Sequence, residues 1–119
     1  MAKILVVDDS STVRNEVSSF LISHGLDVDT AIDGVDGLSK IGRDPNLKLV
    51  ICDVNMPNMD GLTMVEKVKA SGKTISIIML TTESNPSMKQ RGKDAGVKGW
   101  IVKPFNGAAT LEGIKKLIM

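Results

Sequence analysis

Three short apolar runs constrain this chain more than anything else in it: K-I-L-V-V at residues 3–7, L-V-I-C at 49–52 and I-S-I-I-M-L at 75–80. None shows the strict polar–apolar alternation of a strand with one wet face. A short apolar run bounded by turn formers is either a strand buried on both faces or a buried helical turn. Strands covered on both faces belong to parallel sheets, with crossover helices packed on each side.

The intervening segments suit those helices. Val13, Val17, Phe20 and Leu21 share one helical face, started by Ser10 or Ser11 and stopped at His24-Gly25. Val35, Leu38 and Ile41 space a second helix, between Asp33-Gly34 and Gly42. Leu62, Val65 and Val68 space a third, closed by Ser71-Gly72. Pro86 opens a fourth that runs through Met88 to Asp94. That helix is polar and carries Gly92 mid-run, so weak attachment is expected. Leu111, Ile114, Leu117 and Ile118 form the apolar face of a last helix. Two further strands complete the pattern: D-V-D-T-A at 27–31, whose alternation suits an edge, and G-W-I-V at 99–102. Strict β-α alternation, five times over, predicts an α/β, doubly wound parallel sheet with right-handed crossovers. With strands 2 and 5 at the edges, the expected order is 2-1-3-4-5, the flavodoxin-like (βα)5 arrangement.

Composition narrows the function classes. The 119 residues suit one domain, able to bury about two-thirds of its unfolded surface without a disulfide or structural metal. A net charge of +1 gives bulk nucleic-acid binding no support. Phe20, Trp100 and Phe105 are the only aromatic residues, too few for a base-stacking platform. The single cysteine, Cys52, lies in an apolar run and is expected to be an inert core residue. A reducing cytoplasm fits it. No apolar run approaches membrane-spanning length, and Met1-Ala2-Lys3 leads straight into a strand without a signal peptide. His24 has no Cys or His partner at metal-ligand spacing and suits a helix end.

The polar residues that end the strands matter as a set. Asp8 and Asp9 follow the first strand, Asp53 the third, Thr81 the fourth and Lys103 the fifth. Taken alone, Asp53 also suits a turn start or a helix cap. In a parallel sheet, however, all these ends lie on one rim, at the carboxyl side where ligands bind. Three carboxylates at close range repel, so at least one pKa should rise. A divalent cation relieves the repulsion, and all-oxygen donors without His or Cys favour Mg²⁺. A carboxylate beside Mg²⁺, a lysine and a hydroxyl is a phosphoryl-transfer constellation. No glycine-rich nucleotide loop is present.

The motifs V-D-D-S at 7–10, D-V-N-M-P-N-M-D-G at 53–61, L-T-T-E at 80–83 and K-P-F at 103–105 occur in this order. Together they resemble the receiver domain of bacterial two-component response regulators, most closely its stand-alone chemotaxis members, over essentially residues 1–119. The resemblance implies a single receiver domain without an output domain, acting as a regulator rather than an enzyme, though one that catalyses its own phosphorylation and dephosphorylation. It implies Asp53 as phosphoacceptor, and Mg²⁺ held by Asp9, Asp53, the Asn55 carbonyl and, mainly through water, Asp8. It implies Thr81 and Lys103 on the phosphoryl oxygens, Asn55 and Glu83 tuning hydrolysis, and a cis Lys103–Pro104 peptide. One departure is Trp100, where the family commonly has Tyr or Phe as its switch aromatic. Trp100 is either that switch or a cover for the sheet edge and a partner surface. Lys89, Arg91, Lys93 and Lys98 give the neighbouring face a basic cast, suited to an acidic partner or simply to solvent.

The implied partners are a histidine kinase (CheA-like), a phosphorylation-dependent target such as a flagellar motor switch protein, and a phosphatase. The implied protein is a cytoplasmic monomer that binds neither nucleic acid nor membrane. A phosphorelay intermediate or phosphate sink is the main alternative. A flavodoxin-like electron carrier is a distant one, because Asp8 and Asp9 would repel a cofactor phosphate after the first strand. A phosphorylation-independent adaptor would require an inert site.

Overall fold

Every residue of β1 (Ile4–Val7) and of β3 (Leu49–Cys52) is buried, and the two strands lie side by side in parallel, Ile4 opposite Leu49 and Val7 opposite Cys52. The computed structural model describes residues 3–118. Around this pair, β2 (Val28–Ala31), β4 (Ser76–Thr81) and β5 (Gly99–Val102) complete a parallel sheet in the order β2-β1-β3-β4-β5. Both edges fall where the patterns placed them. β2 is only partly buried except at Ala31, and β5 has no buried residue.

Alternate residues of the central strands supply two cores. Ile4, Val6, Leu49, Ile51, Ile78 and Leu80 face Val17 and Leu21 of α1 (Ser11–Ser23) and Ile114 of α5 (Gly107–Ile118). Leu5, Val7, Val50, Cys52, Ile77 and Met79 face α2 (Gly34–Arg43) and α3 (Gly61–Ala70), through Ile41, Leu62, Met64, Val65 and Val68. Each fully buried aliphatic side chain contributes about 1.5–3 kcal/mol of transfer free energy. That is why the apolar runs, not the helices, fix the layering. The fourth helix, α4 (Pro86–Asp94), is attached more thinly. Its one buried residue is Gly92, with Met88 and the C-cap residue Ala95 packed partly against the core.

Side-chain caps set the helix starts. Ser10, not Ser11, caps α1, its Oγ accepting from the Val13 amide at 3.3 Å. Asp33 caps α2, Asp60 caps α3 and Asn85 caps α4, with Pro86 in the first turn. Gly25 ends α1 with φ +80°. Gly61 has a different task. A Cβ there would lie 1.8 Å from the Asp53 carbonyl oxygen, so only glycine lets α3 start against the end of β3. β4 runs one residue further than its apolar run, so Thr81 is the last strand residue rather than the first beyond it. No helix among the described residues is long and apolar enough to cross a membrane.

Candidate carboxylate site at the sheet rim

The backbone ladder continues one residue past each central strand. The Asp8 amide donates to the Ala31 carbonyl at 3.1 Å, and the Asp53 amide to the Val7 carbonyl at 3.0 Å. Both aspartates are therefore held by the sheet just where their side chains leave it. Each carboxylate then divides its oxygens in the same way. Asp8 Oδ1 accepts from the Ser10 amide at 2.9 Å, and Asp53 Oδ1 from the Val54 amide at 2.7 Å. The two Oδ2 atoms share Lys103, whose Nζ lies 3.0 Å from each. Asp8 is 1% exposed and Asp53 7%, so the ammonium bridges two nearly dry carboxylates.

Asp9 is exposed, yet carboxylate oxygens of Asp8, Asp9 and Asp53 all lie within 4.8 Å of one another. Three carboxylates against one ammonium leave an excess of negative charge. Burial pushes the Asp8 carboxyl up, its bonds to Ser10 and Lys103 pull it back, and the neighbouring Asp53 charge adds to the rise. The expected increase is present, but its main cause is desolvation rather than repulsion between carboxylates. Burial alone would lower Lys103; its bonds to Asp8 and Asp53 outweigh that and raise it. The donor set is hard oxygen without nitrogen or sulfur, which matches Mg²⁺ better than Zn²⁺ or Cu²⁺. Asn55 lies exposed in the loop after β3 and adds no carboxylate to the group.

The remaining rim residues form a second, connected set. Thr81 is fully buried, and its Oγ1 accepts from the Glu83 amide at 3.1 Å. The Glu83 carbonyl in turn accepts from Trp100 Nε1 at 2.8 Å. One backbone residue, Glu83, thus links the hydroxyl at the site to the indole on β5. The indole N–H finds an acceptor even though Trp lacks the hydroxyl of a tyrosine. The Lys103 amide donates to the Thr81 carbonyl at 2.9 Å, and the Lys103–Pro104 peptide is cis. Gly92 sits beneath the indole. A Cβ there would come within 3.1 Å of Trp100 Cζ3, so this glycine makes room for the ring as well as weakening its helix.

Some partners were not legible in the motifs. Arg14 Nη1 donates to the Asp8 carbonyl at 2.6 Å, adding a cation behind the acidic group. Its position on the first turn of α1 was the available signal, because helical side chains point back toward the N-terminus. Arg91 belongs to the basic cast expected of α4, but it is engaged. Its Nε and Nη2 grip both Glu66 oxygens on α3 at 2.8 and 2.7 Å. Cys52 is buried, and burial raises its thiol well above the usual range, as an inert core cysteine requires.

Comparison with known proteins agrees with this geometry. The family model for the response regulator receiver domain matches residues 4–115. The chemotaxis protein CheY1 of Helicobacter pylori is 40% identical over 119 residues, covering 98% of this chain and 96% of the relative. The solved structure of the chemotaxis response regulator CheY4 of Vibrio cholerae superposes with a TM-score of 0.88 at 43% identity, covering 98% of both chains. CheY in the CheX–CheY–BeF3–Mg²⁺ complex of Borrelia burgdorferi matches with a TM-score of 0.91 at 28% identity, over 99% of this chain and 90% of that one. With its rim acids, bridging lysine and whole-length likeness, the chain belongs to the response regulator receiver domain family.

Proposed function

We propose that this protein is a phosphoacceptor switch in chemotaxis: Asp53 takes a phosphoryl group from a CheA-like histidine kinase, and the face built by α4, β5 and α5 then binds a flagellar motor switch protein. The observation that carries this reading is the Lys103 ammonium held 3.0 Å from both Asp8 and Asp53 beside the exposed Asp9. It gives Asp53 a cation on one side and a divalent-ion donor set on the other.

In this reading an Asp53 oxygen attacks phosphorus, the phosphorus–nitrogen bond to the kinase histidine breaks, and the leaving imidazole nitrogen keeps the electron pair and takes up a proton. Asp8, Asp9, Asp53 and the Asn55 carbonyl would hold Mg²⁺, which supplies charge neutralisation at the transferring oxygens when bound. Lys103, released from Asp53, bonds the new phosphoryl oxygens. The Thr81 hydroxyl now only accepts, from the Glu83 amide, so its own proton is free to donate to phosphate. Turning it toward Asp53 loosens Glu83, and the Trp100 indole held by the Glu83 carbonyl responds. Charge-assisted hydrogen bonds contribute about 1.5–3 kcal/mol each. Inverting a 1:99 population takes about 5.5 kcal/mol of differential binding, so two or three such bonds are enough. In this reading Asn55 and Glu83 tune hydrolysis of the acyl phosphate. The protein acts as a cytoplasmic monomer.

Incubation with Mg²⁺ and acetyl phosphate, followed by intact mass and Trp100 fluorescence, tests the reading. One phosphoryl addition is expected, absent in Asp53→Asn, with a fluorescence change. No addition to the parent protein refutes phosphoacceptance. Binding to a motor switch protein only with beryllofluoride present supports the chemotaxis output; phosphate return to a phosphotransfer histidine instead supports a relay.

A further inference from the structure

The loop from β3 to α3, residues 54–60, starts directly after Asp53 and contains the exposed Asn55, and it is fastened to a part of the chain with no carboxylate in the acidic group. Asn58 is the only non-glycine residue with positive φ among the described residues, at +67°. That backbone aims its side chain across to the start of α2, where Nδ2 donates to Asp33 Oδ2 at 2.7 Å. Asp33 is 6% exposed, and its other oxygen caps α2 through the Asp36 amide at 2.8 Å. A second fastening lies beside the first. The Gly34 amide donates to the Met59 carbonyl at 3.1 Å, and a Cβ on Gly34 would lie 2.4 Å from that oxygen. The far end of the loop is closed by the Gly61 amide on the Val54 carbonyl at 2.8 Å.

Sheet order shows what this interlock spans. Asp33 follows β2, Asp8 and Asp9 follow β1, and the loop follows β3, with β1 between the other two. The Asp33–Asn58 bond therefore passes from one neighbour of the acidic strand to the other. An exposed loop left to itself samples many conformations, and holding it beforehand spares that ordering at the moment of binding. We propose that Asp33 and Asn58 are positioning residues for the divalent cation: they hold the 54–60 loop so that the Asn55 carbonyl stands ready beside the three carboxylates. The inference rests on the metal reading proposed above.

The test exploits the fact that the pair can be reversed. Asn58→Gly removes the amide and keeps a residue that accepts positive φ without strain. Asp33→Ser preserves the helix cap, since Ser caps as well as Asp, but leaves no second oxygen to accept from Asn58. The double variant D33N/N58D restores a donor facing an acceptor and leaves net charge unchanged. Mg²⁺ affinity is measured by calorimetry on the unphosphorylated protein, and exchange of the Gly34 amide by NMR on the metal-free protein. Expected are about 3- to 10-fold weaker Mg²⁺ binding in Asn58→Gly, return to within about 2-fold of the parent in D33N/N58D, and faster Gly34 exchange in the single variants only. Thermal midpoints should stay within about 4 °C of the parent, which separates positioning from general damage. Unchanged Mg²⁺ affinity in Asn58→Gly, or a double variant no better than the singles, overturns the proposal. A parent protein that binds no Mg²⁺ overturns the metal reading itself, and the positioning role with it, whatever the amide exchange shows.

Discussion

β1 and β3 have no exposed residue, whereas β5 has no buried one, and α3 buries five residues where α4 buries only Gly92. The two halves of the sheet thus differ in how firmly they are held. The acids stand on the firm half, at the tips of β1 and β3. Trp100 and the Glu83 backbone belong to the loose half. Lys103, just past β5, crosses between them to reach Asp8 and Asp53. Chemistry that depends on distances of a few ångströms needs the first kind of support, and a surface that changes shape needs the second. The division places the bistable element where little apolar packing must be broken to move it.

The largest expected effects test this asymmetry directly. Leu5, fully buried on β1, should cost about 3–4 kcal/mol when changed to Ala, because the well-packed core around it cannot close on the cavity. Ile101, partly exposed on β5, should cost only about 1–2 kcal/mol for the same change. Urea denaturation of both variants measures the difference, and equal losses would remove the distinction between the halves. Next in size is the bridge. Lys103→Ala leaves two nearly buried carboxylates without their shared cation and should destabilise the metal-free protein by about 3 kcal/mol. Mg²⁺ should restore more stability to that variant than to the parent, because the ion replaces the missing charge. Thermal melts with and without Mg²⁺ check this, and equal gains would place the cation somewhere other than among these acids.

The same contrast explains how far the sequence could be read. Unbroken apolar runs announce themselves, so the three central strands, both edges and the strand order were legible. So was the rim, because parallel strands that end at Asp, Thr or Lys bring those groups to one side of the sheet. Pairings across the chain were not. Asn58 meets Asp33, and Arg91 meets Glu66, each across 25 positions and from different helices or loops. Periodicity carries no information about such distances. Gly92 was legible as a weak point in a helix, but its service as the seat of the Trp100 ring depends on how β5 lies against α4. The bounds of β4 lie one residue further on than its apolar run, because Thr81 is polar yet fully buried, a combination that apolar patterning does not recognise.

A smaller effect should carry the opposite sign. Burial holds the Asp8 carboxyl above its ordinary value, so the fold disfavours the charge that the proposed metal site requires. Because Lys103 keeps Asp53 as its counter-charge, Asp8→Asn should therefore be more stable than the parent in the absence of metal, while binding Mg²⁺ more weakly. Chemical denaturation in chelator measures the first change and calorimetry the second. A destabilised variant would mean that the Lys103 bond outweighs the burial cost, and the firm half would then be firm because of its charges rather than despite them.

The smallest effect lies on the loose half and concerns what still holds α4. Arg91 and Glu66 form a two-bonded pair between α4 and α3, with side chains 42% and 43% exposed. Solvent screening limits such a pair to about 0.5 kcal/mol, so Arg91→Ala should scarcely change global unfolding. Its local consequence should be larger in proportion, because α4 has so little buried surface to fall back on. Hydrogen exchange should quicken in the α4 amides of the variant and stay unchanged in β1 and β3. The bond from Arg91 holds the Glu66 carboxyl below its ordinary value of 4.5, with burial opposing it. A carboxyl lowered in the folded state contributes its stability above that ordinary value and loses it as pH falls through the lowered one. The difference between parent and variant exchange in α4 should therefore be full at pH 7 and fade only in acid below about pH 4.5. Uniform quickening across the sheet would show α4 and the central strands opening as one unit, and the division between a firm site and a loose response face would fail.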